Sequence, residues 1–192
     1  MLSLYSRMAQ FGFTLVELMI GLAILAILLS VAMPNFQAWS LNSQIRNAAE
    51  SVRNGLQRAR GEAVARNRNV EFVLLGLDTG CYDATSLISS TCSSWEVRLQ
   101  GSAVIDSRSS SEGSKAVKRT VTPAGATMVT YNNFGQLTAN SGASATPTMI
   151  EFDSTKLAAA ASRELQIVIG SPGGIVRMCD PHAPSSSLSA CQ

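Results

Sequence analysis

The chain has 192 residues, enough for one domain with a sizeable core plus an appendage and too few for two ordinary domains. Charged residues make up 15% and the formal net charge is +2, a balance too mild to point to nucleic acid or an anionic surface. Hydrophobic residues reach 46%, with much of that content lying before Pro34, so the rest reads as a soluble, Ser/Thr/Gly-rich domain.

The first predicted element is an apolar helix from Phe13 to Met33, in which Glu17 is the only charge. At 1.5 Å per residue its length is roughly 30 Å, enough to span a hydrocarbon core. A cleaved secretory signal has an apolar region of only about 7 to 15 residues followed by a small-residue cleavage site. Nothing after Ser30 resembles such a site, so the helix is expected to be retained. Arg7 precedes it without a compensating acid, which orients the amino terminus to the cytoplasm and the remaining residues to the far side. An acid within a spanning helix costs roughly 2.5 to 3.5 kcal/mol, so Glu17 either reaches the interface from the dipole-favoured helix start or has a partner.

After Pro34 the helix is expected to continue to about Ala65, kinked at the proline, which lacks a backbone donor. Ile45, Ala49, Val52, Leu56, Ala59 and Ala63 recur at spacings of three and four and lay one apolar seam along it. Arg46, Arg53 and Arg60 fall on a polar face, with Glu50 one turn beyond Arg46.

Short β-like segments follow: Val70 to Leu75, Trp95 to Gln100, Val117 to Val121, Thr127 to Tyr131, Thr148 to Phe152, Leu165 to Ile169 and Ile175 to Met178. The stretches from Ser107 and from Leu137 read as exposed loops, and Leu157 to Ser162 as a brief helical turn. Strand after strand without helices between them predicts an antiparallel sheet or sandwich covering the helix seam. The fold class is therefore α+β.

Cys81 and Cys92 form one local pair and Cys179 and Cys191 another. Four cysteines allow three connectivities, and sequential pairing closes the shortest loops. Disulfides place the domain in an oxidising compartment. The pairing of Cys179 with Cys191 stays open, because these residues flank a Pro/Ser-rich tail expected to be flexible. The one histidine, His182, lies in that tail, and no metal-ligand spacing, catalytic elbow or nucleotide loop is present. Neither an enzyme nor a cofactor is expected.

The string Gly12-Phe13-Thr14-Leu15-Val16-Glu17, followed by the apolar helix and Pro34, resembles the class III signal of type IV prepilins and type II secretion pseudopilins. The resemblance implies that Met1 to Gly12 is a leader removed by prepilin peptidase and that Phe13 becomes the N-methylated first residue. It further implies that the Glu17 carboxylate neutralises the terminal ammonium of an adjacent subunit, a pair worth far more in an apolar filament core than in water. The helix end and first strands, with Trp95, resemble the GspH/FimT family of minor pilins and pseudopilins.

That family implies a pilin-like lollipop, with a long kinked helix as stick and an antiparallel β-rich globular head. Residues 1–12 would be leader, 13–39 the transmembrane and filament-core helix, and 40–192 the periplasmic head with the rest of the helix. The implied function is that of a minor pilin for filament initiation at or near the tip of a type IV pilus. Its partners would be other minor and major pilins, prepilin peptidase, the inner-membrane assembly platform and, before assembly, membrane lipid. The subunit would be single-pass in the inner membrane, then part of the filament at the cell surface. A type II secretion pseudopilin of the H type is one alternative.

A DNA-binding pilin for natural transformation is another. Some FimT members resemble DNA receptors with a Gly-Arg-x-Arg pattern near the carboxy terminus. Here the matching stretch is Gly174-Ile175-Val176-Arg177, which keeps the final arginine and replaces the first with Ile175. Arg177, Lys118, Arg119 and Lys115 would have to converge to form a phosphate-binding patch. DNA is the less favoured partner.

Overall fold

The computed structural model describes residues 14–75, 94–109 and 112–191, with the backbone alone at 31, 32 and 34. The chain divides into two units, Met1–Gln37 and Ala38–Gln192. Helix α1, Leu15–Arg66, contributes its first part to the first unit and its remainder to the second.

In the first unit the large apolar side chains point to all sides of the helix, and Leu15, Leu18, Ile24, Leu28 and Phe36 are each more than half exposed. In the second unit the same helix becomes amphipathic. Every residue of the expected seam, Ile45, Ala49, Val52, Leu56, Ala59 and Ala63, is fully buried. Burying the larger of these side chains is worth roughly 1.5 to 3 kcal/mol each. The helix stops at a left-handed residue, Asn67, with φ 51°. The Asn67 N–H donates to Val64 O and the Arg68 N–H to Ala63 O, the paired closure of a Schellman motif that satisfies the last carbonyls.

Among the described residues nine strands follow, all paired antiparallel: β1 Val70–Leu75, β2 Ser94–Leu99, β3 Val104–Arg108, β4 Val117–Thr122, β5 Met128–Tyr131, β6 Leu137–Thr138, β7 Met149–Ser154, β8 Leu165–Gly170 and β9 Ile175–Cys179. They make a five-stranded sheet in the order β3-β2-β1-β5-β6 and a four-stranded sheet in the order β4-β7-β8-β9. The α+β architecture read from the sequence is the one observed. One apolar core joins the helix seam to Phe72, Leu74, Val97 and Val129 of the first sheet and to Val121, Ile150, Phe152 and Ile167 of the second. Strand β1 is buried on both faces, and its Val73 and Leu75 form a second small cluster with Met128.

Two strands were not expected. β3 has mixed, largely polar residues and lies at the sheet edge, so backbone pairing with β2 rather than side-chain pattern specifies it. The loop expected from Ser107 begins inside it. β6 has only two residues, and the loop after it is held by buried Asn140, which accepts from Thr130 Oγ1 at 2.9 Å and donates to Met128 O at 2.8 Å. The helical turn expected near Leu157 is a single hydrogen-bonded turn, with the N–H groups of Ala161 and Ser162 both donating to Ala158 O.

Candidate functional site: the apolar helix and the outer face of the β-rich unit

Glu17 occupies the first turn of α1. Thr14 immediately precedes the helix. Its hydroxyl accepts the Glu17 N–H at 3.2 Å, and its carbonyl accepts the Leu18 N–H at 3.1 Å. Thr14 is thus an N-cap, and the Thr-x-x-Glu spacing is that of a capping box. Sequence reasoning had missed this role, although the spacing was there to be read. The cap satisfies a donor that an apolar medium would otherwise leave unpaired. The carboxylate lies at the positive end of the helix dipole. Gly12 and Phe13, the expected cleavage and methylation positions, lie outside the described residues.

No single helix among the described residues is long and apolar enough to cross a membrane; Leu15–Ser30 and Asn35–Arg66 taken together meet the requirement of length and composition. The exposed aliphatic surface from Leu15 to Met33 still calls for apolar surroundings, since nothing within its own unit buries it.

In the β-rich unit, Cys179 and Cys191 are joined by a disulfide with Cα atoms 5.0 Å apart. Cys81 and Cys92 lie outside the described residues. The tail expected to be flexible is instead tied down. Asp180 bridges to Ala190 in parallel, its N–H donates to Ser189 O at 2.7 Å, and His182 Nε2 lies 3.0 Å from Glu164 Oε2.

The residues considered for DNA do not converge. Strand β4 alternates buried and exposed, so Lys118 faces solvent and Arg119 faces inward. Arg119 is 1% exposed and its Nη1 lies 3.4 Å from Ser94 O; burial lowers its guanidinium pKa to about 9. Its assignment as a DNA contact is corrected on that ground, because a phosphate cannot reach it. Lys118 is paired with Asp153 at 2.9 Å. Arg177 is exposed on β9, across the sheet and four positions along from Lys118 by strand register, roughly 20 Å away. Glu151 and Asp153 share this outer face, which is therefore mixed in charge. Lys115 is exposed before β4 begins. Among the described residues, no group of three His, Cys, Asp or Glu side chains is placed to hold a metal ion.

Comparison with known proteins adds two family matches. Residues 7–33 match the prokaryotic N-terminal methylation motif, and residues 48–173 match the family described as type II transport protein GspH. Two fimbrial proteins of Pseudomonas aeruginosa are each 37% identical over 62 residues, which is 32% of this chain and 40% of the length of each relative. Two crystal structures of the P. aeruginosa type IV minor pilin FimU align at 19% identity over 74% and 78% of this chain and 94% and 95% of theirs, with TM-scores of 0.44 and 0.46. The GspH match extends over about two thirds of the sequence, from inside α1 to the turn before β9, and the chain belongs to that family.

Proposed function

We propose that the chain is a minor pilin of a type IV pilus, a structural subunit for filament initiation at or near the tip. The observation that carries this reading is the joining of an N-terminal methylation motif to a GspH-family unit through a helix whose apolar side chains are exposed on all sides. Such a helix needs lipid before assembly and neighbouring helices afterwards. In this reading prepilin peptidase cuts between Gly12 and Phe13 and methylates Phe13. The subunit then rests in the inner membrane with residues 40–192 in the periplasm, where the Cys179–Cys191 bond is stable. The assembly platform moves it into the filament, where the Glu17 carboxylate meets the amino terminus of an adjacent pilin.

The family description, type II transport, favours a second reading as an H-type pseudopilin in a secretion system. The fimbrial relatives favour the pilus.

Substitution of Gly12 should leave a heavier, uncleaved precursor in membranes. Glu17→Ala should be cleaved normally yet be depleted about tenfold or more from sheared filaments, a loss in keeping with a buried charge pair. Normal cleavage of the Gly12 variant overturns the processing site, and unchanged incorporation of Glu17→Ala overturns the neutralisation role. Presence in a secretion complex and absence from filaments selects the pseudopilin reading.

A further inference from the structure

Asn42 and Gln44 fix which loops of the β-rich unit lie beside the first turns of its helix. The Asn42 side chain donates to Ala161 O at 3.0 Å and accepts the Arg163 N–H at 2.8 Å, while Gln44 Oε1 accepts the Ala116 N–H at 3.2 Å. The turn after β7 joins the same end, because the Thr155 N–H and hydroxyl both donate to Ala116 O, at 2.9 and 3.2 Å. Residues 115–116, 155–156 and 161–163 therefore form one rim beside helix positions 42 to 44.

The rim is basic. Lys115 and Lys156 directly neighbour Ala116 and Thr155, Arg163 makes one of the helix contacts itself, and all three side chains are exposed. Between Lys156 and Arg163 the chain runs Leu157-Ala158-Ala159-Ala160-Ala161-Ser162, with no acid. The carboxylates nearest in sequence, Glu112, Asp153 and Glu164, face Arg108, Lys118 and His182 at 3.6, 2.9 and 3.0 Å.

Exposed cations occur elsewhere on this unit, Arg68 and Arg177 among them, so charge alone does not give the rim a partner. Its position does. Trp39 is 66% exposed and comes six positions after Met33, the end of the apolar run. An indole at the end of a membrane-embedded segment settles at the level of the lipid headgroups, where its ring meets apolar chains and its N–H finds an acceptor. From Trp39 the helix rises roughly 5 Å to Asn42 and roughly 8 Å to Gln44, which is about the depth of one headgroup layer. The lysines and the arginine of the rim thus lie at the level of lipid phosphates.

We propose that Trp39, Lys115, Lys156 and Arg163 form a lipid-binding surface that seats the β-rich unit on the phosphates of anionic phospholipids while the subunit is in the membrane. The indole sets the depth, and the three cations select the headgroup. The proposal rests on the membrane stage of the reading above, and it adds the chemistry of the lipid and the side chains that recognise it.

The test uses the full-length chain reconstituted in phosphatidylcholine vesicles that carry a small share of brominated lipid, either phosphatidylglycerol or phosphatidylcholine. Bromine quenches an indole only at short range, so Trp39 reports its lipid neighbours while Trp95, 5% exposed in the core, does not. Brominated phosphatidylglycerol should quench about tenfold more effectively at equal share, and bromines near the headgroup more than bromines at the chain end. Replacing all three cations, by Lys115→Gln, Lys156→Gln and Arg163→Gln together, should abolish the preference for phosphatidylglycerol at an unchanged melting temperature. Lys156→Gln alone should reduce it about twofold, and Arg177→Gln should leave it intact. Equal quenching by the two lipids overturns the cationic surface, as does a preference that survives the triple change. A triple variant that keeps its lipid preference yet drops out of filaments assigns the cations to a neighbouring subunit and overturns it too. Stronger quenching from the chain end overturns the interfacial placement of Trp39. Failure of the unaltered chain to float with vesicles overturns the membrane stage of the reading itself.

Discussion

Gly55 shows how one missing methyl group sets the distance between helix and sheet. Alanine is ordinarily preferred over glycine inside a helix by about 1 kcal/mol. Here a Cβ would stand 2.7 Å from Phe72 Cε2 and 3.1 Å from the Trp95 indole. The indole cannot simply swing away, because its Nε1 donates to Ser51 Oγ at 2.8 Å and its ring is tilted against Phe72 with centroids 5.6 Å apart. Gly55→Ala should therefore destabilise the fold by about 1 to 3 kcal/mol, the range for overpacking, rather than stabilise it. A higher denaturant midpoint would show that the rings yield. Asp153 supplies a pH dependence. Burial alone would raise its pKa, but hydrogen bonds from Ser162, Lys118 and the Ser154 N–H outweigh this and hold it below the ordinary value of 3.8. A depressed folded pKa means stability that is present above the unfolded value and lost as pH falls through the folded one. The melting temperature should thus drop on acidification below about pH 4, and Asp153→Asn should flatten that limb. An unchanged acid limb would count against the role of this carboxylate. The partner, Lys118, has a pKa raised chiefly by its hydrogen bond to Asp153, so its contribution would fade only above pH 10.5; at 52% exposure it is heavily screened.

Among the elements, the helix seam was legible because a period near 3.6 leaves a trace in any sequence: Ile45 through Ala63 were expected on one face, and that face is fully buried. Strands β4, β5, β7, β8 and β9 were legible from their β-branched and aromatic content. Arg119 was misread although the signal existed. Val117 and Val121 both point inward, and alternation puts residue 119 on their side. By contrast, β3 and β6 owe their existence to backbone pairing with neighbours far away in sequence, which local composition does not encode. The tail was read as loose from its Pro and Ser content, yet the disulfide and the Asp180–Ala190 bridge close it into a defined loop. Cys191→Ser should cost about 2 to 4 kcal/mol by releasing that closure. It should also open residues 180–191 to protease while β9 stays paired with β8 over five positions. Cleavage spreading into β9 as readily as into the tail would show that the bond supports the sheet itself.

The two units of the molecule solve opposite solvation problems. The residues of the main core all come from Ile45 or later, so the second unit contains every side chain that its own apolar cluster needs. The first unit contributes none of them and exposes an aliphatic surface that water does not tolerate. Membership in the GspH family is likewise carried by residues 48–173, within the second unit. Stability of the fold and anchoring of the chain should therefore be separable by one cut. A chain beginning at Ala38 keeps the whole helix seam, both sheets and the Cys179–Cys191 bond. It should purify without detergent as a monomer and unfold in a single cooperative transition, with calorimetric and van't Hoff enthalpies in agreement. The chain that retains Leu15 to Gln37 should need detergent to stay dispersed, yet melt its β-rich unit at nearly the same temperature. A truncated chain that aggregates, or melts gradually without a transition, would mean that the apolar part of α1 supports the fold as well as the anchoring.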